Sequence, residues 1–203
     1  MRRLLFILSL VATLASCGTA SHDTAANDDL DTIDMLTREQ LQRDQLVERV
    51  CREISGQWKY SGPSVEVSGK NLLAGMGKPI AKSKVKKKLN KAYKKLGLNK
   101  VGPQVTLNRD GTCSIALLGR SLNGSYTYDP DEEQLRFKWM GIPVNAHLKR
   151  DGKKKLHLTF DSDKLLWLLR VAGGISNSSA LKAIGVLTSN YEDIMMGFEF
   201  KRK

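Results

Sequence analysis

Cysteine and histidine are scarce in this chain, three of each among 203 residues. That excludes a disulfide-stapled scaffold and leaves little from which to build a zinc site. His22 lies in a polar N-terminal stretch. His147 and His157 occupy odd positions of segments whose even positions are apolar, so both are expected to face outward with no third ligand nearby. No metal and no other cofactor is expected. Beyond the first residues, no apolar run approaches the roughly 20 residues that cross a bilayer as a helix. Catalytic constellations are missing as well. Ser176-Asn177-Ser178-Ser179 has no partner base and reads as a turn. Gly173-Gly174 reads as a helix stop, and Asp161 and Asp163 as helix caps rather than a carboxylate pair. The expectation is a protein that is not an enzyme.

What the sequence does have begins with Met1-Arg2-Arg3 and the apolar run Leu4 to Leu14, closed by Ala15, Ser16 and Cys17. A short positive region, an apolar core and small residues make a secretory signal. Leu14-Ala15-Ser16-Cys17 resembles the lipobox of bacterial lipoproteins, whose cysteine accepts a diacylglyceryl group. The resemblance implies a signal peptide over residues 1–16 and a Cys17 anchored by palmitate-like chains. It implies location at the outer membrane or elsewhere in the cell envelope, facing the periplasm or the surface. Residues 17–34, rich in Ser, Thr, Ala, Asn and Asp, read as a flexible tether. Residues 35–203 remain for one domain, expected to be monomeric. Cys51, in a predicted helix, and Cys113, mid-strand, read as buried thiols rather than a bridge.

Acidic residues are the minority, 21 against 33 basic, and the imbalance is local. Residues 18–53 hold 4 basic and 9 acidic side chains, a net of −5; residues 54–203 hold 27 and 12, a net of +15. A basic body on an acidic stalk points to an anionic neighbour or simply to a soluble surface. Nucleic acid is not the expected one. The basic helix carries only Tyr93, whereas strand-binding surfaces interleave several aromatics with the charge.

Thr37-Arg38-Glu39-Gln40 can cap a helix that runs through Val47, Val50, Cys51 and Ile54 to Gly56 and covers one end of the domain. Ser55 to Val67 then reads as the first strand, with Trp58 and Tyr60 on one face. Residues 70–77 can make a helical turn or two. A better helix spans 80–96, with Val85, Leu89, Ala92 and Leu96 on one face and lysines over the rest, closed by Gly97.

From residue 101 the apolar period is two: Val105 and Leu107; Cys113, Ile115 and Leu117; Tyr126 and Tyr128; Leu135, Phe137 and Trp139; Val144, Ala146 and Leu148; Leu156, Leu158 and Phe160. Arg109-Asp110-Gly111 and Arg150-Asp151-Gly152 read as three-residue hairpin loops with left-handed Gly, setting Leu107 against Cys113 and Leu148 against Lys154. A helix follows Asp161, another starts at Ser178 or Ser179, and a last strand carries Met196, Phe198 and Phe200. Eight consecutive strands suit a closed antiparallel up-and-down barrel, a mainly β fold with added helices; a two-sheet sandwich is the alternative.

Gly56-Gln57-Trp58 resembles the Gly-x-Trp that opens the first lipocalin strand. With Lys59-Tyr60-Ser61-Gly62-Pro63, Asn71-Leu72-Leu73, Asp110-Gly111-Thr112, Asn123-Gly124-Ser125-Tyr126, Phe160 to Leu166 and Tyr191 to Phe198, the set resembles a lipocalin-like family of lipoproteins from Gram-negative gut anaerobes. The resemblance covers about residues 50–203. It implies a lipocalin-like barrel with helices inserted between the first two strands and before the last. The family has no activity to carry over. In lipocalins the late helix follows the last strand, whereas here it precedes it.

Two functions remain. In the first, the barrel interior, lined by Trp58, Tyr60, Tyr126, Tyr128, Phe137, Trp139, Phe160 and Phe198, holds a small apolar or amphipathic ligand. In the second, the barrel is filled, and Lys84, Lys86, Lys87, Lys88, Lys91, Lys94 and Lys95 contact anionic lipid, lipopolysaccharide or an acidic partner.

Overall fold

The computed structural model describes residues 25–67, 78–174, 178–189 and 194–203. The leader, the lipobox and the helical turn expected over 70–77 lie outside the described residues. Two compact units are distinguished, Met1–Leu41 and Gln42–Lys203. In the first, the backbone is helical from Ala25, and Met35, Leu36 and Leu41 are exposed. Residues 25–34, expected as tether, are therefore helical, and Thr37 does not start the helix. An acidic sequence at a helix N-terminus is favoured by the macrodipole.

The second unit is built on a closed barrel of eight antiparallel strands, each paired with its neighbours in sequence order and the last with the first. Helix α1 (Ala25–Ile54) ends at its lower rim. The chain then runs through β1 (Gly56–Val67), α2 (Lys78–Lys95), β2 (Gln104–Leu107), β3 (Thr112–Leu117), β4 (Arg120–Asp129) and β5 (Gln134–Trp139). It continues as β6 (Ile142–Asp151), β7 (Lys155–Phe160), α3 (Ser162–Val171), α4 (Ser179–Ser189) and β8 (Ile194–Arg202). Because strands alternate up and down, α2, α3 and α4 all join strand ends at the upper rim.

The period-two apolar residues form the interior. Trp58, Val105, Leu107, Cys113, Ile115, Tyr126, Leu135, Phe137, Val144, Ala146, Leu156, Leu158, Phe198 and Phe200 are all buried in one core. The Arg109–Gly111 loop is as expected, with Leu107 opposite Cys113 and Gly111 at φ +80°. The second loop is not. Leu148 lies opposite Leu158 and Asp151 opposite Lys155, so the turn is Gly152–Lys154, with Gly152 at φ +62°. The expected and observed registers differ by an even number of residues, so the apolar faces still coincide.

Helix ends follow local chemistry. Gly97, at φ +82°, ends α2 while the Leu98 amide donates to the Tyr93 carbonyl at 3.0 Å, a Schellman closure. Ser178 Oγ accepts the Leu181 amide at 3.1 Å before α4. Asp161 precedes α3 without a side-chain capping bond, contrary to the expected role.

Candidate functional site

The eight residues expected to line a ligand chamber all belong to the core or pack against it. Trp58, Tyr126, Phe137, Trp139, Phe160 and Phe198 are buried, and Tyr60 and Tyr128 half-buried. Six of the eight make ring contacts with other aromatics: Phe137 stacks on Trp139 at 4.4 Å and meets Tyr126 at 6.3 Å, and Phe160, Tyr60 and also Phe200 meet Phe198 edge-on at 6.0–6.3 Å. A void large enough for water would show as accessible surface on the side chains around it. Phe137, Trp139, Phe160, Phe198 and Phe200 are no more than 1% exposed. The centre of the core is thus occupied by its own aromatics, packed against one another.

The lower end is closed by α1 and a belt of cations. Arg150 pairs with Glu53, Arg136 with Asp129, and Arg43 with Asp131. Trp58 Nε1 donates to the Ile54 carbonyl at 2.8 Å.

The wall is incomplete on one side. β1 pairs with β2 only from Gly56 to Lys59, whereas it pairs with β8 up to Val67. Past the Tyr60 amide, which donates to Pro103 O at 3.0 Å, α2 packs on β1 instead of a strand. Val85, Leu89, Ala92 and Tyr93 enter the core from this helix. Tyr93 stacks on Phe198 at 5.4 Å, meets Tyr60 edge-on at 6.3 Å, and donates its hydroxyl to Gly197 O at 3.2 Å. From the sequence, Tyr93 counts only as the single aromatic of the basic helix and is left off the apolar face. Its position beside Ala92 on the apolar side of the helix is the signal that could have found it.

The outer face of α2 is a lysine field. Lys82, Lys87, Lys88, Lys91, Lys94 and Lys95 are exposed and make no ion pair among the described residues. Lys84 is exposed too. Lys86 is half-buried, its amine 3.5 Å from Glu199 of β8. Glu199 also accepts Ser61 Oγ at 3.0 Å. Burial disfavours its charge, but Ser61, Lys86 and His157 outweigh that and hold its carboxyl below the usual range.

Both strand histidines face outward as expected, but both are half-buried and bonded: His157 Nδ1 lies 3.1 Å from Ser64 Oγ, and His147 Nε2 lies 2.9 Å from Gln134 Nε2. Burial, outweighing nearby Glu199, keeps His157 neutral to lower pH than usual. Ser64 is itself buried, so the Ser64–His157 pair offers no accessible nucleophile. Cys51 and Cys113 are free thiols, Cys51 half-buried and Cys113 buried; burial pushes Cys113 up to about 11. Among the described residues, no group of His, Cys, Asp and Glu is arranged to hold a metal ion, and no helix is long and apolar enough to cross a membrane.

In comparisons with known proteins, the family described as a lipocalin-like domain (DUF4923) matches residues 34–202. A crystal structure of a DUF4847 family protein from Bacteroides vulgatus is similar to this chain at 13% identity and a TM-score of 0.37, over 73% of this chain and 93% of that one. No curated protein matches the chain.

Proposed function

The chain belongs to this lipocalin-like domain family, and from that premise we propose a cell-envelope lipoprotein, anchored through Cys17, that works through the outside of a filled barrel. Its α2 lysines seat it on anionic lipid headgroups. The observation that carries this reading is the pairing of a core whose central aromatics are buried against one another with a helix whose exposed side is almost wholly cationic. Near an anionic surface each such lysine contributes about 1 kcal/mol, so a handful suffices for reversible attachment in addition to the lipid anchor.

Cosedimentation of protein carrying Cys17→Ser with vesicles tests this. Binding is expected to phosphatidylglycerol vesicles and not to phosphatidylcholine, to weaken with salt, and to be lost on changing Lys87, Lys88 and Lys91 together to Gln. Equal binding to neutral vesicles overturns it, as does retention after the triple change.

A second reading keeps a small apolar or amphipathic ligand inside the barrel. It is favoured by the short β1–β2 seam: the interior is separated from solvent there by one packed helix, not by a hydrogen-bonded wall. A ligand entering this way displaces Tyr93 or its neighbours. A thermal-shift screen of apolar and amphipathic compounds checks it, and no stabilisation by any of them removes it.

A further inference from the structure

Where α2 leans on β1, the two elements leave an open groove of about 430 Å³, lined by Pro63, Lys82, Ser83, Lys86, Lys87 and Asn90. That volume lies within the range of small-molecule sites. Its lining is mostly carbon: Pro63, itself buried, together with lysines, whose stems are apolar although their ends are charged. The five α2 residues stand at spacings of one, three or four, which puts them on one helix face. Lys86 is already tied to Glu199. Lys82 and Lys87 are exposed and carry no ion pair among the described residues. The groove therefore combines a mostly apolar lining with two lysines, Lys82 and Lys87, that carry no ion pair among the described residues.

We propose that this groove binds one acyl chain bearing an anionic head, the tail against Pro63 and the head between Lys82 and Lys87. A carboxylate or a phosphate satisfies the same two cations, so free fatty acid and lysophospholipid share the required chemistry. The proposal deepens the reading of α2 as an anion-binding surface and rests on it. It differs in one respect: a bilayer can touch the lysine tips without filling the groove.

Calorimetric titration of the Cys17→Ser protein, below each amphiphile's micelle threshold, tests it with dodecanoate, dodecyl lysophosphatidate, dodecyltrimethylammonium and acetate. The two anionic amphiphiles are expected to bind. The cationic amphiphile and acetate, each lacking one half of the match, are expected not to. Binding of only one anionic amphiphile names the source. Lys82→Gln combined with Lys87→Gln should weaken binding about tenfold. Ser83→Trp, which fills the groove from an exposed position, should abolish it with the melting temperature unchanged. Binding by the Ser83→Trp protein as by the unaltered one overturns the proposal, as does equal binding of the cationic amphiphile. Vesicle attachment without amphiphile binding defeats the groove alone; amphiphile binding without vesicle attachment defeats the surface reading alone.

Discussion

The Arg202 guanidinium lies over the Trp58 ring, 4.6 Å from its centre, and joins the last strand to the first at the lower rim. Trp58 and Arg202 are register partners in the β1–β8 pair. The same guanidinium donates to the backbone carbonyls of Ser55 at 3.0 Å, Lys153 at 3.2 Å, and Glu53. The final carbonyls of a helix lack intrahelical partners. Here the C-terminal strand supplies one, so a single side chain links the β1–β8 closure to the end of α1.

Arg202→Ala is accordingly expected to destabilise the protein by about 2 kcal/mol, combining a cation–π contact with lost charge-assisted bonds. Arg202→Lys should recover less than half of this, because an ammonium cannot reach three carbonyls in fork geometry. Urea denaturation measures both. A loss under about 0.5 kcal/mol for the alanine variant would show that the contact is a surface ornament.

The barrel was legible in the sequence because a buried strand face is written with period two, and six strands carry that period without a break. Register was less legible. Arg150 and Asp151 look like turn residues, yet they extend β6 opposite Leu156 and Lys155, and Arg150 is held by Glu53 from α1. A charge accepted at a strand end by a partner about a hundred residues away leaves no local trace. The same holds for the chamber. The aromatics of the apolar parity read equally as a lining or as a filling, and contacts such as the 4.4 Å between Phe137 and Trp139 are not written in the sequence. Tyr93 was missed because the nine lysines of α2 hide a helix side that faces the core.

Acid should lower the stability of the protein in two steps. His157, desolvated and bonded to Ser64, has its pKa lowered from 6.5, so the unfolded chain takes up that proton first. Its contribution is complete above about pH 6.5 and shrinks as the pH falls toward the folded-state value. Burial of Glu199 works against its charge, but Ser61 and Lys86 prevail and lower its pKa from 4.5; its contribution is lost further down, as the pH falls through its folded value. His157→Gln should flatten the upper step and Glu199→Gln the lower one in denaturation series from about pH 7 to pH 3. Stability that rises on acidification across the upper range would contradict this.

Gly197 has no room for a side chain. A Cβ there would stand 1.9 Å from the Leu158 carbonyl oxygen, and one at Gly124 would stand 2.2 Å from that of Lys138. Gly62, at the β1 bulge, has nothing within 4 Å. Gly197→Ala is expected to cost about 3 kcal/mol through backbone displacement, while Gly62→Ala stays within about 0.5 kcal/mol of the unaltered protein. Similar thermal shifts for the two variants would mean that the close strand approach at Gly197 relaxes freely.

Tyr93 is the residue by which α2 belongs to the core rather than to the surface. Burial drives its phenol well above the usual pKa, so it stays a neutral donor to Gly197 O. Tyr93→Phe removes only that bond and should cost about 1 kcal/mol. Tyr93→Ala also removes the ring stacked on Phe198 and should cost about 3–5 kcal/mol. Lys88→Gln, on the exposed side of the same helix, should change stability by less than about 0.5 kcal/mol. The alanine variant should in addition bind an apolar dye that the phenylalanine variant excludes, since the space vacated by the ring lies under α2. Equal stability of the Tyr93→Ala and Lys88→Gln proteins would make α2 a loosely attached helix, and the lysine surface would then have no fixed mount on the barrel.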